Sequence, residues 1–217
     1  MGKSKKSTKK TYSKSPSAGG HGNAPKKGFA YTPEKVDMKD VQGMLNETYN
    51  KDAKDVGSYK LDKQLSNKRV KVYHDPVSNK VVVAHRGSQD AQDWKENAMY
   101  TLGIKKGKGW NTSKEIQKKA EHKYAGAHLT TTGHSKGALH AQEFGQKGDI
   151  VTVNKPVNVG DAMHKKVGEN QTDIKSRRDP VSFLRHFQKG KKAKVQTSHS
   201  WNPLKNHSVD YTMRDIK

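Results

Sequence analysis

The stretch of this 217-residue chain best suited to covalent chemistry is Gly133-His134-Ser135-Lys136-Gly137. A serine with glycine two residues away on each side fits a nucleophile on a sharp turn between a strand and a helix, where larger neighbours would clash. The pattern follows a β-rich run, His128 to Thr132, and opens a stretch of helical texture from Ala138 to Gln146. A helix starting there brings backbone N–H groups and a favourable dipole toward a developing oxyanion. With no cysteine in the chain, thiolate nucleophiles and thiolate metal sites are excluded, so a serine must do any nucleophilic work. Neither H-E-x-x-H nor a phosphate-cradling G-x-x-x-x-G-K occurs, and the chemistry expected is free of metal and cofactor.

A serine hydroxyl needs a base, and the imidazole that serves as base needs a carboxylate to hold its tautomer. Among the acids downstream, Glu143 lies in the helix after the serine, Asp149 begins a strand and Asp161 reads as a helix cap. Asp179 is favoured because Thr172 to Ser176 reads as a strand and Arg177-Arg178-Asp179-Pro180-Val181 as the loop at its carboxyl end. Asp173, at the other end of that strand, is the rival. His140, His164, His186, His199 and His207 are the candidate bases. His207 is preferred, in a loop running from Asn202; His199 is the alternative, inside Val195 to Ser200, which looks like a strand.

Two segments resemble the class 3 (fungal-type) lipases of the α/β-hydrolase superfamily. One is Val81-Val82-Val83-Ala84-His85-Arg86-Gly87-Ser88 with Asp93-Trp94 after it, similar to that family's buried strand, Arg-Gly-Thr/Ser loop and Asp-Trp pair. The other is Thr132 to Ala138, continuing to Ala141. With the Asp-Pro-Val at Asp179 and the His207 that precedes Tyr211, the resemblance spans about residues 69–211. It implies a serine ester hydrolase with Ser135, Asp179 and His207 in that chain order and an oxyanion hole built from Ser88 and the backbone N–H of Lys136. It also implies an acylglycerol or phospholipid substrate. His85, where the family has an aromatic or apolar residue, and Lys136, where it has Leu, depart from the pattern and are expected to make the pocket more polar.

The elements that must position these groups follow from periodicity. Val36 to Tyr49 has one apolar helical face. Arg69 to Tyr73 alternates, Asp75 to Asn79 is a turn, and Lys80-Val81-Val82-Val83-Ala84 is a continuous β-branched run, which together predict a hairpin with a fully buried second strand. Residues 91–100 read as a helix. Another is predicted from a Thr112 or Ser113 cap to Tyr124, with Ile116, Ala120 and Tyr124 on one face. Asp149 to Val153 is a further strand. Strands alternating with helices predict an α/β fold with a mostly parallel central sheet flanked by helices, its reactive groups at the carboxyl ends of the strands. Met99 to Ile104, followed by lysines and Trp110, sits where such lipases carry a lid. It reads equally as a surface for docking on an anionic bilayer or as a helix packed on the sheet.

Charge sets the remaining expectations. Residues 1–27 carry eight lysines and no acid among Ser, Thr, Gly and Pro, so residues 1–30 read as a disordered basic arm and 31–217 as the folded domain. Removing those eight charges from the chain's +22 still leaves +14 on the rest. Attraction to polyanions is therefore expected: an anionic membrane, or nucleic acid through residues 1–27. No apolar run follows the charged N-terminus and none approaches the length of a membrane span, which reads as synthesis in the cytosol. The alternative to an enzyme is a weakly active or inactive lipase-like structural protein that binds nucleic acid. Basic lipase-like chains of this kind resemble those of some double-stranded DNA viruses, implying packaging in a virion; an arm for nuclear import is a third reading.

Overall fold

The valine run that carries β-branched residues on both faces becomes the strand about which the domain is built. In the computed structural model, which describes residues 35–88, 108–197 and 200–216, this strand is β3 (Lys80–His85), the second arm of a hairpin with β2 (Val70–Asp75). The turn between them places Asn79 at φ 50°, a left-handed conformation that Asn tolerates. Among the described residues, one seven-stranded sheet forms, adding β1 (Lys60–Leu61), β4 (His128–His134), β5 (Asp149–Val153), β6 (Gln171–Ser176) and β7 (Lys194–Gln196). Spatial order follows chain order: β1, β2 and β3 pair antiparallel, and β3 through β7 pair parallel. The loops leaving β3 to β6 therefore gather at one edge.

The alternation along β3 sorts its side chains onto two layers. Val82 and Ala84, with Tyr73, Val151, Val153 and Ile174, pack on α1 (Met38–Glu47) and on α6 (Val209–Met213) through Val41, Met44, Leu45, Val209 and Met213. Val81 and Val83, with Val70 and Val72, face the other way onto Ala120 and Ile116 of α2 (Lys108–Lys123). Next to α2 lies α3 (Lys136–Phe144), and three short elements complete the fold: α4 (Val159–His164), a 3-10 helix (Phe183–Phe187) and α5 (Pro203–His207). The expected α/β architecture, a mostly parallel sheet flanked by helices, is what forms.

Several boundaries differ from expectation for local reasons. The second helix starts at Lys108 rather than at Thr112 or Ser113; Ser113 is buried within it, its Oγ 2.9 Å from His140 Nδ1 instead of capping. Asn158, not Asp161, caps α4, its side chain accepting the Asp161 N–H at 2.7 Å. His207 ends a short helix instead of sitting in a loop, because Asn202 caps Leu204 and Lys205 and Pro203 opens the first turn. The expected basic arm, the helix over 91–100, the Asp93-Trp94 pair and His199 lie outside the described residues.

Candidate active site

Strand β4 runs two residues further than its β-rich run predicted, to His134, and α3 begins two residues earlier, at Lys136. Ser135 alone makes the reversal, at φ 53° and ψ −126°. Holding a non-glycine residue there costs roughly 1–3 kcal/mol. The Ser135 N–H donates to Val153 O and its carbonyl accepts from Ala138, which fixes the turn to the neighbouring strand and to the helix. The flanking glycines are a steric necessity: a Cβ at Gly133 would stand 2.1 Å from Gly137 O, and one at Gly137 would stand 2.1 Å from His85 O.

The Ser135 side chain makes no cap to its own helix. Its Oγ lies 2.9 Å from His207 Nε2, and His207 Nδ1 lies 2.9 Å from Asp179 Oδ1. Asp179 is 2% exposed. Burial would raise its carboxyl, but the hydrogen bond and charge of His207, with Ser182 and the Val181 N–H, hold it below the usual carboxylate range. An ionised carboxylate only accepts, so Nδ1 carries the imidazole proton, Nε2 is the acceptor, and Ser135 Oγ–H donates to it.

All five residues expected to act are thus described, and four of them adjoin one cavity. A cavity of about 1050 Å³ is lined by Ser88, Ser135, Lys136 and His207, with Asp179 just behind His207. Its lining combines the apolar Pro156, Val157, Val159, Val181, Phe183 and Leu204 with the polar Asn46, Tyr49, Asn158 and Asp210. As the first residue of α3, Lys136 contributes one of the amides that point out of the N-terminal end of a helix. Lys136 is among the residues lining the cavity. His85, expected to add polarity there, is not: it is fully buried on the α2 side of the sheet, 3.2 Å from Gln117 Oε1, and burial pushes its pKa down to about 4. Trp110, grouped in sequence with the lid segment, packs its ring on His140 and Phe144; the rest of that segment up to residue 107 lies outside the described residues.

Asp173, the rival to Asp179, is engaged elsewhere. Its Oδ2 accepts from Lys155 Nζ at 3.0 Å and from Arg185 Nε, and its Oδ1 from Thr152 and Gln171. Burial raises its carboxyl, but Lys155 and Arg185 outweigh that and hold it low. Burial also pulls Lys155 down to about 8 against the attraction of Asp173.

Three residues around the site were not anticipated. Asn154, at φ 48° just past β5, donates from Nδ2 to His207 O at 3.0 Å and accepts the Ser176 N–H. His134 approaches the same carbonyl, and Tyr49 hydrogen-bonds His134. An Asn directly after a buried strand marks a left-handed turn, and a histidine beside the nucleophile marks a buried polar neighbour; both signals stand in the sequence. Tyr49 carries none, because its partners lie 38 and 85 positions away.

Sheet order, elbow and cavity define a lipase-like α/β-hydrolase domain. Residues 28–146 match the family described as phospholipase-like, the Tle-like phospholipase domain, and the chain belongs to that family. The match includes the Ser88 loop and Ser135 and ends before Asp179 and His207. Among solved structures, a mutant of MDLA from Penicillium cyclopium aligns at TM-score 0.50 and 17% identity over 76% of this chain and 80% of its own. Lip2 lipase from Yarrowia lipolytica aligns at TM-score 0.48 and 14% identity over 81% and 85%. No curated protein sequence matches the chain. The expected resemblance to fungal lipases is borne out at the level of the fold.

Proposed function

We propose that this chain hydrolyses carboxylic esters of acyl lipids, phospholipids foremost, at a membrane surface, with Ser135 as nucleophile, His207 as base and Asp179 as its orienting carboxylate. The observation that carries this reading is the unbroken hydrogen-bonded line Asp179, His207, Ser135, ending at an elbow that opens into a largely apolar cavity. Ser135 Oγ attacks the acyl carbonyl carbon as its proton passes to His207 Nε2, and the carbonyl electron pair moves onto oxygen. Ser88 and the Lys136 N–H face that oxyanion. Each such donor contributes about 3 kcal/mol to lowering the barrier. Collapse expels the alcohol, which takes the proton from Nε2. Water then attacks the acyl-enzyme, giving its proton to His207 Nε2; collapse breaks the bond to Ser135 Oγ, which takes that proton back as the acid leaves.

Action at a membrane is supported by the rim of the cavity. Val159, Phe183 and Leu204 line it and are 64%, 58% and 79% exposed. Phe187 stacks edge-on with Phe183, and the nearby Trp201 lies under the Arg178 guanidinium. An apolar rim with cations beside it suits an anionic lipid surface. No helix among the described residues is long and apolar enough to cross a membrane. The family description is of a phospholipase domain, and polar residues stand among the apolar lining of the cavity, which supports a phospholipid over a wholly apolar lipid.

The test is fatty-acid release from phosphatidylglycerol vesicles and from triacylglycerol emulsions, with a short soluble ester as control. Phosphatidylglycerol is expected to be the better lipid, and replacing Phe183 and Leu204 with Ser should lower vesicle turnover while sparing the soluble ester. Equal loss on both substrates would contradict a docking role for the rim. Turnover of the soluble ester alone would contradict a lipid substrate.

A further inference from the structure

The motif residue that the proposed chemistry does not use is His134. Its Nε2 lies 2.7 Å from the backbone carbonyl oxygen of His207. A carbonyl can only accept, so Nε2 carries a proton. Burial, reinforced by the charge of His207, pushes His134 down to about 4, so near neutrality the ring holds no second proton and Nδ1 is an acceptor. Tyr49 Oη stands 2.7 Å from Nδ1 and must donate to it. The same hydroxyl oxygen accepts the Gly87 N–H at 3.1 Å. The direction of every bond is thereby fixed: Gly87 N–H to Tyr49 Oη, Tyr49 O–H to His134 Nδ1, His134 Nε2–H to the carbonyl of His207.

This line joins three segments that the sheet itself does not fasten to one another: the chain just past α1, the loop after β3 that carries Ser88, and the end of α5. Their packing is close. A Cβ on Gly87 would lie 2.4 Å from Tyr49 Oη and 3.2 Å from Ser135 Cβ, and the rings of His134 and His207 are 4.9 Å apart. Asn154 supplies a second donor to the same His207 carbonyl, so a base at the end of a five-residue helix is held from the ends of both β4 and β5.

We infer that Tyr49 and His134 are positioning residues that set the Ser88 loop and His207 in register on either side of Ser135, coupling oxyanion binding to proton transfer. The inference rests on the reading of Ser135, His207 and Asp179 given above. Reacting groups shifted by a fraction of an ångström lose rate without losing ground-state binding. Tyr49→Phe deletes one hydroxyl and leaves Gly87 N–H and His134 Nδ1 each short of that partner. His134→Gln keeps a donor at the Nε2 position and removes the acceptor for Tyr49.

Two measurements on the full-length chain decide the matter. Histidine-selective 15N NMR should show His134 as the Nε2–H tautomer, neutral from pH 8 to pH 5, with its Nδ1 resonance displaced in Tyr49→Phe. An Nδ1–H tautomer, an ordinary titration near 6.5, or no displacement would overturn the relay whether or not the chain proves to be an esterase. On p-nitrophenyl butyrate, Tyr49→Phe should lower kcat roughly 10- to 100-fold with KM nearly unchanged, and His134→Gln should retain more activity than His134→Ala. A fluorophosphonate should still label Ser135 in Tyr49→Phe, only more slowly. Unchanged kcat in Tyr49→Phe beside an active wild type would contradict the positioning role. A wild type that neither turns over nor labels would instead sink the proposed function, and the NMR result would stand by itself.

Discussion

Ser135 Oγ lies 2.9 Å from His207 Nε2 although the two residues are 72 positions apart and Ser135 stands where a helix would ordinarily use its hydroxyl as a cap. The helix forgoes that cap. Caps of this kind are worth about 1 kcal/mol, and the strained backbone of Ser135 adds to the cost, so the hydroxyl is held for a partner other than its own helix. Reactive sites keep such locally unfavourable features because the surrounding packing over-determines them.

The two buried aspartates should separate cleanly by substitution. Asp179→Asn lets the His207 ring take the other tautomer, so kcat on a soluble ester should fall by about 10⁴ while the thermal midpoint moves little. Asp173→Asn leaves Lys155 and Arg185 buried without their shared carboxylate and should cost about 3–5 kcal/mol of stability. Its remaining folded fraction should keep near-normal turnover per labelled serine. Denaturant melts and active-site-titrated kinetics on both variants check this; the reverse pattern would make Asp173 the working acid.

Close backbone contact at the elbow predicts a steep response to one methyl group. Gly137→Ala drives a Cβ into the His85 carbonyl and should destabilise the domain by about 3 kcal/mol or more. Gly126→Ala, at φ 91° with nothing within 4 Å, meets only backbone strain and should cost about 1 kcal/mol. Urea denaturation distinguishes the two.

Stability should fall on the acid side before the carboxylates titrate. Burial holds His85 and His134 down to about 4, against 6.5 when unfolded. Between those values the unfolded chain binds more protons than the folded one, so stability is intact above 6.5 and is lost as pH falls toward 4, by roughly 3 kcal/mol at most for each histidine. Below that range Asp179 and Asp173, both held low in the fold, add their own loss. Unfolding free energies at pH 7.5, 5.5 and 4.5 should decline in that order. A flat profile would mean that these imidazoles are solvated.

What the sequence makes legible here is the local chemistry. The valine run, the Gly-x-Ser-x-Gly turn and the Asp-Pro-Val loop announce themselves within a few residues, because strand periodicity and turn sterics are local. Helix ends were less legible. Ser113 looks like a cap until it is known that His140 takes its hydroxyl, and His85 looks like a pocket residue until β3 is seen to turn it toward α2. For Asn154 and His134 the sequence marks a left-handed turn and a buried polar neighbour but not their partners, and Tyr49 is beyond such reading, since these roles come from bonds that span 38 to 85 positions. Those contacts exist only once the sheet has brought the loop ends together.

The nucleophile is tested most directly by covalent capture. Wild-type protein treated with a fluorophosphonate should gain one phosphonyl mass, located by peptide mapping on Ser135, and Ser135→Ala should gain none while melting normally. A wild type that stays unmodified, or a Ser135→Ala variant that is modified as fast as wild type, would contradict the account.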